Sequence, residues 1–523
     1  MSEIKTLVFG KEHFSEVKAY SYGNNWPVVY IIDNEREIYI GQTTNMYSRC
    51  KQHFENPLRT KLNRIHIITD EEYNVSAALD IESLLIQYIA ADGKYVLQNG
   101  NLGLVDHNYF DKPRYRGKFD TIWNQLKQSA FVINDWIQIR NSDLFKYSPY
   151  KALSGDQLET AELLMSRIRM GVSKTYIVNG DPGTGKTILA TYLMKALQED
   201  EHTKHLKIAL IVPMTSLRHT LKKVFKNVKG LKPNMVIGPN DLSRNKYDVL
   251  LVDEAHRLKK RKNISNYGSF DKTNKMFGLD NNGTELDWIL QSSQLQVLFY
   301  DKNQTVRPSD IDHKRIESLN AEHLVLKNQQ RIIDGGEEYL EFAQNLFDLN
   351  LKNKKKFSQY DFKIYDHISE MVNAIKLKDK ELSLCRIISG FSWPWVSKNK
   401  PGYSDIDIEG YKLQWNSVNH NWVNSPNAVN EVGCIHTVQG YDLNYAGVIV
   451  GPELSYDKEK KKLVVHAENY KDSNGKRGID DPKELERYII NIYKTLFTRG
   501  IRGTYVYIVD KDLRDYVGSK ILV

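Results

Sequence analysis

A chain of 523 residues exceeds what one hydrophobic core organises, and typical domain sizes divide it into about three compact units. Its hydrophobic fraction of 41% and charged fraction of 26% exclude a fibrous, disordered or membrane-embedded chain, and a net charge of +8 with a pI near 8.9 leans toward polyanionic partners. The three cysteines, Cys50, Cys385 and Cys434, have neither CxxC nor histidine spacing, which excludes a disulfide framework or zinc site and fits a reducing cytoplasm. The opening MSEIKTLVFGKEHF lacks a basic stretch followed by an apolar one, and runs such as VLLV and VIVG are too short for a bilayer, so a cytoplasmic protein with no membrane partner is expected.

The first elements lie in VVYIIDNEREIYIGQTTNMYSRCKQHF, from Val28. Alternating apolar residues around DNERE predict a β-hairpin, and NMYSRCKQHF has helical spacing. If Asn34 and Glu35 form the two-residue turn, Tyr30 and Tyr39 sit directly opposite, and Gly41 ends the second strand where the backbone approaches something closely. Arg49 and His53 then share a helix face one turn apart. A longer helix, SAALDIESLLIQYIAAD, follows, with Glu82 interrupting its apolar face, and the Gly/Asn-rich LQNGNLG closes the unit near Leu104.

Residues 105–150 read as a helical connector with one amphipathic helix, FDTIWNQLKQSAFVINDWI. Short apolar runs then recur: TYIVNG, IALIVP, DVLLVDE and LQVLFYD, and later LCRIISG, EVGCIHT, AGVIVGP and YVYIV. That rhythm predicts two successive α/β domains with parallel sheets, 151–320 and 321–523.

GDPGTGKT, from Gly180 through Asp181, Pro182, Gly183, Thr184, Gly185 and Lys186 to Thr187, stands between a strand and a helix. That is the context in which a glycine-rich loop wraps the β- and γ-phosphates of ATP, the lysine adds a point charge and the threonine hydroxyl reaches Mg²⁺. In YDVLLVDEAHR, Asp253 and Glu254 end a strand, where one carboxylate holds the Mg²⁺ shell and its neighbour polarises the attacking water. The next strand ends in FYDKNQTVRPSD, with Asp301 and Gln304 where a superfamily 2 helicase carries Ser-Ala-Thr, so superfamily 1 is expected.

These motifs, with QQRI, ISGFSWPW, IHTVQGYD and LFTRGIRGTYVYIVD, resemble the Schlafen group 3-like DNA/RNA helicase family from about Leu153 to the end. The resemblance implies two RecA-like domains, with Gln157 reading adenine, Gln304 sensing the γ-phosphate, and Arg331 and Arg499 reaching it from the second domain. It also implies that His436, Thr437 and Gln439 couple the nucleotide to the nucleic-acid groove, while Arg502 stays open. Trp393, Trp395, Trp415 and Trp422 fit either base stacking or a core, and receive no role.

Residues 26–104 resemble the GIY-YIG nuclease domain, VVY standing for the first motif and YIG intact for the second, with Val28 and Val29 in place of Gly and Ile. The resemblance implies a nuclease domain over 1–104 in which Glu82 holds one divalent metal, Tyr30 helps deprotonate the attacking water, and Arg49, Tyr39 and His53 stabilise the phosphorane charge; it extends through Asn99. The expectation is an ATP- and Mg²⁺-dependent nuclease–helicase acting on DNA more than RNA, in bacterial defence against phage or plasmid DNA or in repair. The alternatives are an RNA-directed helicase with a non-cleaving head and an ATP-gated binding switch.

Overall fold

The computed structural model describes residues 2–522 apart from 101–105, 107, 330–335, 399, 401, 419–420, 439 and 480. The chain divides into two compact units: Met1–Val172 with Thr187–Leu210 and His219–Val236, and Ser173–Lys186 with Ile211–Arg218 and Ile237–Val523.

In the first unit, β1 (Glu3–Val8), α1 (Phe14–Ala19), β2 (Asn24–Asp33), β3 (Glu37–Asn45), α2 (Met46–Phe54), β4 (Arg64–Thr69), α3 (Val75–Asp92) and β5 (Val96–Leu97) build a five-stranded sheet of order β1-β4-β2-β3-β5. β2 is its middle strand, and Val28 to Ile32 are all fully buried, which explains why this segment reads as a continuous apolar run. The hairpin forms one residue later than expected. Asn34 Oδ1 accepts the amides of Arg36 (3.1 Å) and Glu37 (2.7 Å), Glu35 takes φ 72°, and the turn is Glu35–Arg36. Tyr30 therefore faces Gly41, and Tyr39 faces Ile32. Because a one-residue slide of the turn moves the register by two, both tyrosines stay on one face, diagonal with ring centroids 6.3 Å apart. The strand continues past Gly41 to Asn45, and what approaches Gly41 is Tyr30 itself: a Cβ there would lie 2.2 Å from the phenol oxygen.

The segment expected as a connector packs onto this domain. It forms α4 (Lys112–Gly117), α5 (Phe119–Gln128), α6 (Trp136–Asn141) and α7 (Asp143–Lys146). Arg116 grips Asp80 of α3 with two bonds of 2.9 Å, and Tyr88 packs its ring at a tilt against Phe119 (centroids 5.0 Å apart) and Phe145 (4.4 Å). The single expected helix from Phe119 onward is broken in two. Ala130 takes φ 54°, and the Asp92 carboxylate accepts the amides of Ile133 (3.0 Å) and Asn134 (2.9 Å), side-chain competition that ends one helix before the next begins. Helix α8 (Gly155–Arg169) follows, opened by a capping box between Ser154 and Gln157.

Next come β6 (Thr175–Gly180), α9 (Lys186–Glu199), β7 (Ile208–Ile211), α10 (Thr215–Lys226), β8 (Val236–Ile237), β9 (Tyr247–Val252), α11 (Tyr267–Met276), α12 (Glu285–Ser292), β10 (Ser293–Tyr300), α13 (His313–Glu317) and β11 (Ala321–Leu326). The sheet order is β11-β6-β10-β9-β7-β8, and β6 is parallel to both β10 and β11. Its outer strand β11 was not anticipated, since Glu322 and His323 interrupt its apolar residues, Ala321 and Leu324 to Leu326.

The remainder forms α14 (Gly336–Phe347), β12 (Asp361–Ile364), α15 (Ile368–Leu382), β13 (Cys385–Ser389), the hairpin β14 (Ile406–Ile408) and β15 (Tyr411–Leu413), β16 (Val432–Cys434), α16 (Ile435–Val438), β17 (Leu443–Val450), the hairpin β18 (Leu454–Asp457) and β19 (Lys462–Val465), α17 (Ser473–Lys476), α18 (Pro482–Phe497), β20 (Gly500–Ile508) and α19 (Lys511–Ser519). The parallel sheet β12-β20-β17-β13-β16 carries this domain, so the expected α/β class with parallel sheets holds for both later sheets. All three cysteines are free and buried.

Candidate functional site

Two sets of polar residues are brought together. In the N-terminal sheet the centre is the Tyr30 phenol, fully buried on β2. Arg49 Nε donates to it from α2 at 3.1 Å, and His53 Nε2, one helical turn on, lies 2.7 Å away. A second guanidinium, unforeseen in the sequence, completes the group: that of Arg59 lies 3.6 Å from the centre of the Tyr39 ring and meets His53 Nδ1. Arginine carries no acceptor, so this contact makes Nδ1 the acceptor and assigns the proton to Nε2, which donates to Tyr30. The phenol oxygen then receives two N–H groups and its own proton points elsewhere. Burial drives the Tyr30 pKa well up, reinforced by Tyr39 and opposed by Arg49, so the group is a neutral phenol at pH 7.

Glu82 lies within electrostatic reach of both Tyr30 and Arg49. Burial raises its carboxyl to about 7 against the pull of Arg49, and it has no hydrogen-bond or ion-pair partner among the described residues. Asn99 plays a different part: its side chain brackets Ile40, accepting the amide at 3.0 Å and donating to the carbonyl at 2.7 Å, so it continues the β5 edge along β3 and steadies the strand that holds Tyr39 and Gly41.

The second set surrounds the loop after β6. Gly183 (φ 93°) and Gly185 (φ 74°) occupy the left-handed region that lets successive amides turn inward. Lys186 Nζ donates to the carbonyls of Gly180 (2.5 Å) and Asp181 (3.1 Å) and lies 3.5 Å from Asp301, whose carboxylate also accepts Gln304 Nε2 at 2.6 Å. A cleft of about 260 Å³ opens beside Gly180, Asp181 and Asp301 at the carboxyl ends of β6, β10 and β11, the end where parallel sheets take ligands. Asp253 is 1% exposed, and its Oδ1 accepts the Glu254 amide at 3.0 Å. Glu254 sits at φ 53° with His256 Nε2 2.9 Å from its carboxylate. Burial favours the neutral acid, but His256, Lys186 and Arg499 together hold the pKa well below the ordinary range, so Glu254 is ionised.

Arg499, expected from the C-terminal domain, is 1% exposed, caps the end of α18 through Thr495 (3.1 Å), and projects its charge onto Glu254. Arg307, missed in the sequence because it is one arginine in a polar loop, exerts its charge on His436 and Asp472. His436 lies 2.6 Å from Asp472, yet burial and then Arg307 bring its pKa down to about 4. The Thr437 hydroxyl donates to Asn416 at 3.1 Å. Gln157 is buried and occupied in its helix cap. Arg331 and Gln439 lie outside the described residues. Trp415 and Trp422 are fully buried and belong to the core. Among the described residues no cluster of three His, Cys, Asp or Glu could hold a metal, and no helix is long and apolar enough to cross a membrane.

A protein of Saccharomyces cerevisiae, the uncharacterized protein YPL245W, is 27% identical over 422 residues, 69% of this chain and 90% of that one. Solved structures similar to this chain include a Pif1 helicase from Bacteroides in complex with ADP-AlF3 and ssDNA (11% identical, TM-score 0.30, covering 70% of this chain and 94% of that one). Another is a Pif1 helicase from Candida albicans (13% identical, TM-score 0.29, covering 70% and 96%). Residues 173–510, which hold the phosphate loop, Asp253, Glu254, Gln304 and Arg499, match the family described as Schlafen group 3, DNA/RNA helicase domain, and the chain belongs to that family.

Proposed function

We propose that this helicase-family chain is an ATP-driven nucleic-acid motor carrying a phosphodiester-cutting head, with DNA the expected substrate. In the motor, Lys186 and the loop amides bind the phosphates, Thr187 and Asp253 hold Mg²⁺, and ionised Glu254 orients the attacking water. Gln304 reads the γ-phosphate through its link to Asp301, and Gln157 is assigned to adenine. Arg499 and Arg331 supply positive charge from the C-terminal domain, and His436, Thr437 and Gln439 pass the nucleotide state to the nucleic acid. The low pKa of Glu254 suits orientation rather than outright proton abstraction.

The observation that carries the cutting head is the convergence of Arg49 and His53 on Tyr30, beside a carboxylate without a partner. Glu82 fits a divalent ion held by one carboxylate with water and substrate phosphate for the rest, since a carboxyl kept near 7 by burial gains a counter-charge when a cation arrives. The bound ion would act as a Lewis acid on the scissile phosphate. Because its oxygen already receives N–H groups from Arg49 and His53, the Tyr30 phenol has only its own O–H left, which holds the attacking water in place while the water's proton leaves to a phosphate oxygen; Arg49, Arg59 and the N–H of neutral His53 balance charge building on the phosphate.

The test separates head from motor. Glu82→Ala should abolish cleavage and leave nucleic-acid-stimulated ATPase within about twofold, since the two sets of residues share no member and sites without shared partners rarely couple. Lys186→Ala should abolish ATPase and cleavage of duplexes that need translocation, while a short single strand is still cut. Metal-independent cleavage, or cleavage by Glu82→Ala, would overturn the assignment of the head.

A further inference from the structure

The segment between β13 and β16 interrupts the second parallel sheet and carries a crest of aromatic and lysine side chains that the ATP site does not use. It begins at Phe391, runs through Trp393, Pro394, Trp395 and Val396, and reaches Tyr403. Two buried carboxylates fasten it. Glu453, 1% exposed, accepts the Ser392 hydroxyl at one end, and Asp405 accepts the Ser397 amide (2.7 Å), the Ser397 hydroxyl (2.6 Å) and the Trp415 amide (2.8 Å) at the other.

The loop is therefore rigid at its base and apolar at its crest. Trp393 and Trp395 are half-buried, seated on the core that includes Trp415, while Val396 is 40% and Tyr403 58% exposed. Lysines accompany the rings: Lys398 Nζ lies 5.8 Å from the centre of the Trp395 ring, and Lys400 Nζ 5.6 Å from that of Tyr403. Below the crest Phe391 stacks on Trp415 at 5.5 Å with planes 9° apart, and its ring centroid lies 6.3 Å from that of His436.

Exposed rings held by a stiff frame cost no ordering when a flat apolar ligand stacks on them, and neighbouring ammonium groups select one that is also anionic. We propose that this crest is a stacking platform for unpaired bases of a single nucleic-acid strand, with Lys398 and Lys400 on its phosphates. The proposal rests on the helicase reading and adds the place where bases are held. Phe391 lies beside His436, on which the Arg307 charge acts, so base stacking bears on that segment.

The test compares full-length protein binding to a single-stranded oligothymidylate and to an abasic strand of equal length and charge, by fluorescence anisotropy. Wild type should prefer the base-bearing strand. Each of Trp395→Ala and Tyr403→Ala should weaken that binding by about fivefold or more, leave abasic binding and basal ATPase unchanged, and remove the preference when combined. Trp395→Phe should restore most of it, which separates loss of a ring from loss of folding. Lys398→Ala with Lys400→Ala should weaken both strands alike and flatten the salt dependence. Equal binding of the two strands by wild type, or alanine variants that lose both strands equally, overturns the platform while leaving the motor intact. Failure of wild type to bind any strand overturns the platform and the helicase reading together.

Discussion

Glu82 has its ordinary value of 4.5 in an unfolded chain and about 7 in the folded one, where burial is the cause. Between those values the folded protein holds a proton that the unfolded chain has released, so stability falls as pH rises from about 4.5 to 7 and is level beyond. A shift of that size corresponds to at most about 3 kcal/mol. Glu82→Gln keeps the shape without the charge. Its stability in urea should match wild type at about pH 4 and exceed it by up to about 3 kcal/mol at about pH 8. Millimolar Mn²⁺ should narrow the gap by stabilising wild type alone. Glu254 is the opposite case. Burial raises its pKa, but His256 heads the groups that lower it, so His256→Ala should raise it. The acid limb of the ATPase pH profile should then move to higher pH, activity being lost earlier as pH falls. An unmoved limb would mean that the 2.9 Å contact carries no charge coupling.

At the scale of single elements, the hairpin β2–β3 and helix α2 are the tool that assembles the head. Arg49 and His53 meet one phenol because residues four apart on a helix share a face and β2 passes beneath it. Gly41→Ala should push Tyr30 aside, since the added Cβ would sit 2.2 Å from its oxygen. The expected cost is about 1–3 kcal/mol of stability and a loss of strand cleavage, with ATPase activity retained. Helices α4 to α7 belong to the same body. A fragment ending at 104 would bare the Tyr88 face and strip Arg116 from Asp80, whereas one ending at 150 keeps both. Near-ultraviolet circular dichroism and a cooperative thermal transition should be present in the longer fragment and absent from the shorter.

At the scale of the whole molecule, the charge at Glu254 is set by its neighbour His256 together with two residues from distant parts of the sequence, Lys186 and Arg499. Arg499→Ala should lower ATP turnover by about 10³-fold or more, the range for a transition-state arginine, and leave nucleotide binding within a few fold. Arg307→Ala removes the charge shared with His436 and Asp472. It should reduce stimulation of the ATPase by nucleic acid more than the basal rate.

The sequence by itself located the glycine-rich loop after β6, the acidic pair after β9, the parallel α/β rhythm and five polar residues of the N-terminal sheet domain, because each depends on residue type and local spacing. The hairpin face survived a misplaced turn because strand side chains repeat every two residues. Only the tertiary structure decided that Tyr30 faces Gly41, that Arg59 closes on His53, that Arg307 exerts its charge on His436, and that residues expected as a connector cover α3. Those contacts join residues whose spacing follows no period, and burial and charge settle them only once the elements have packed.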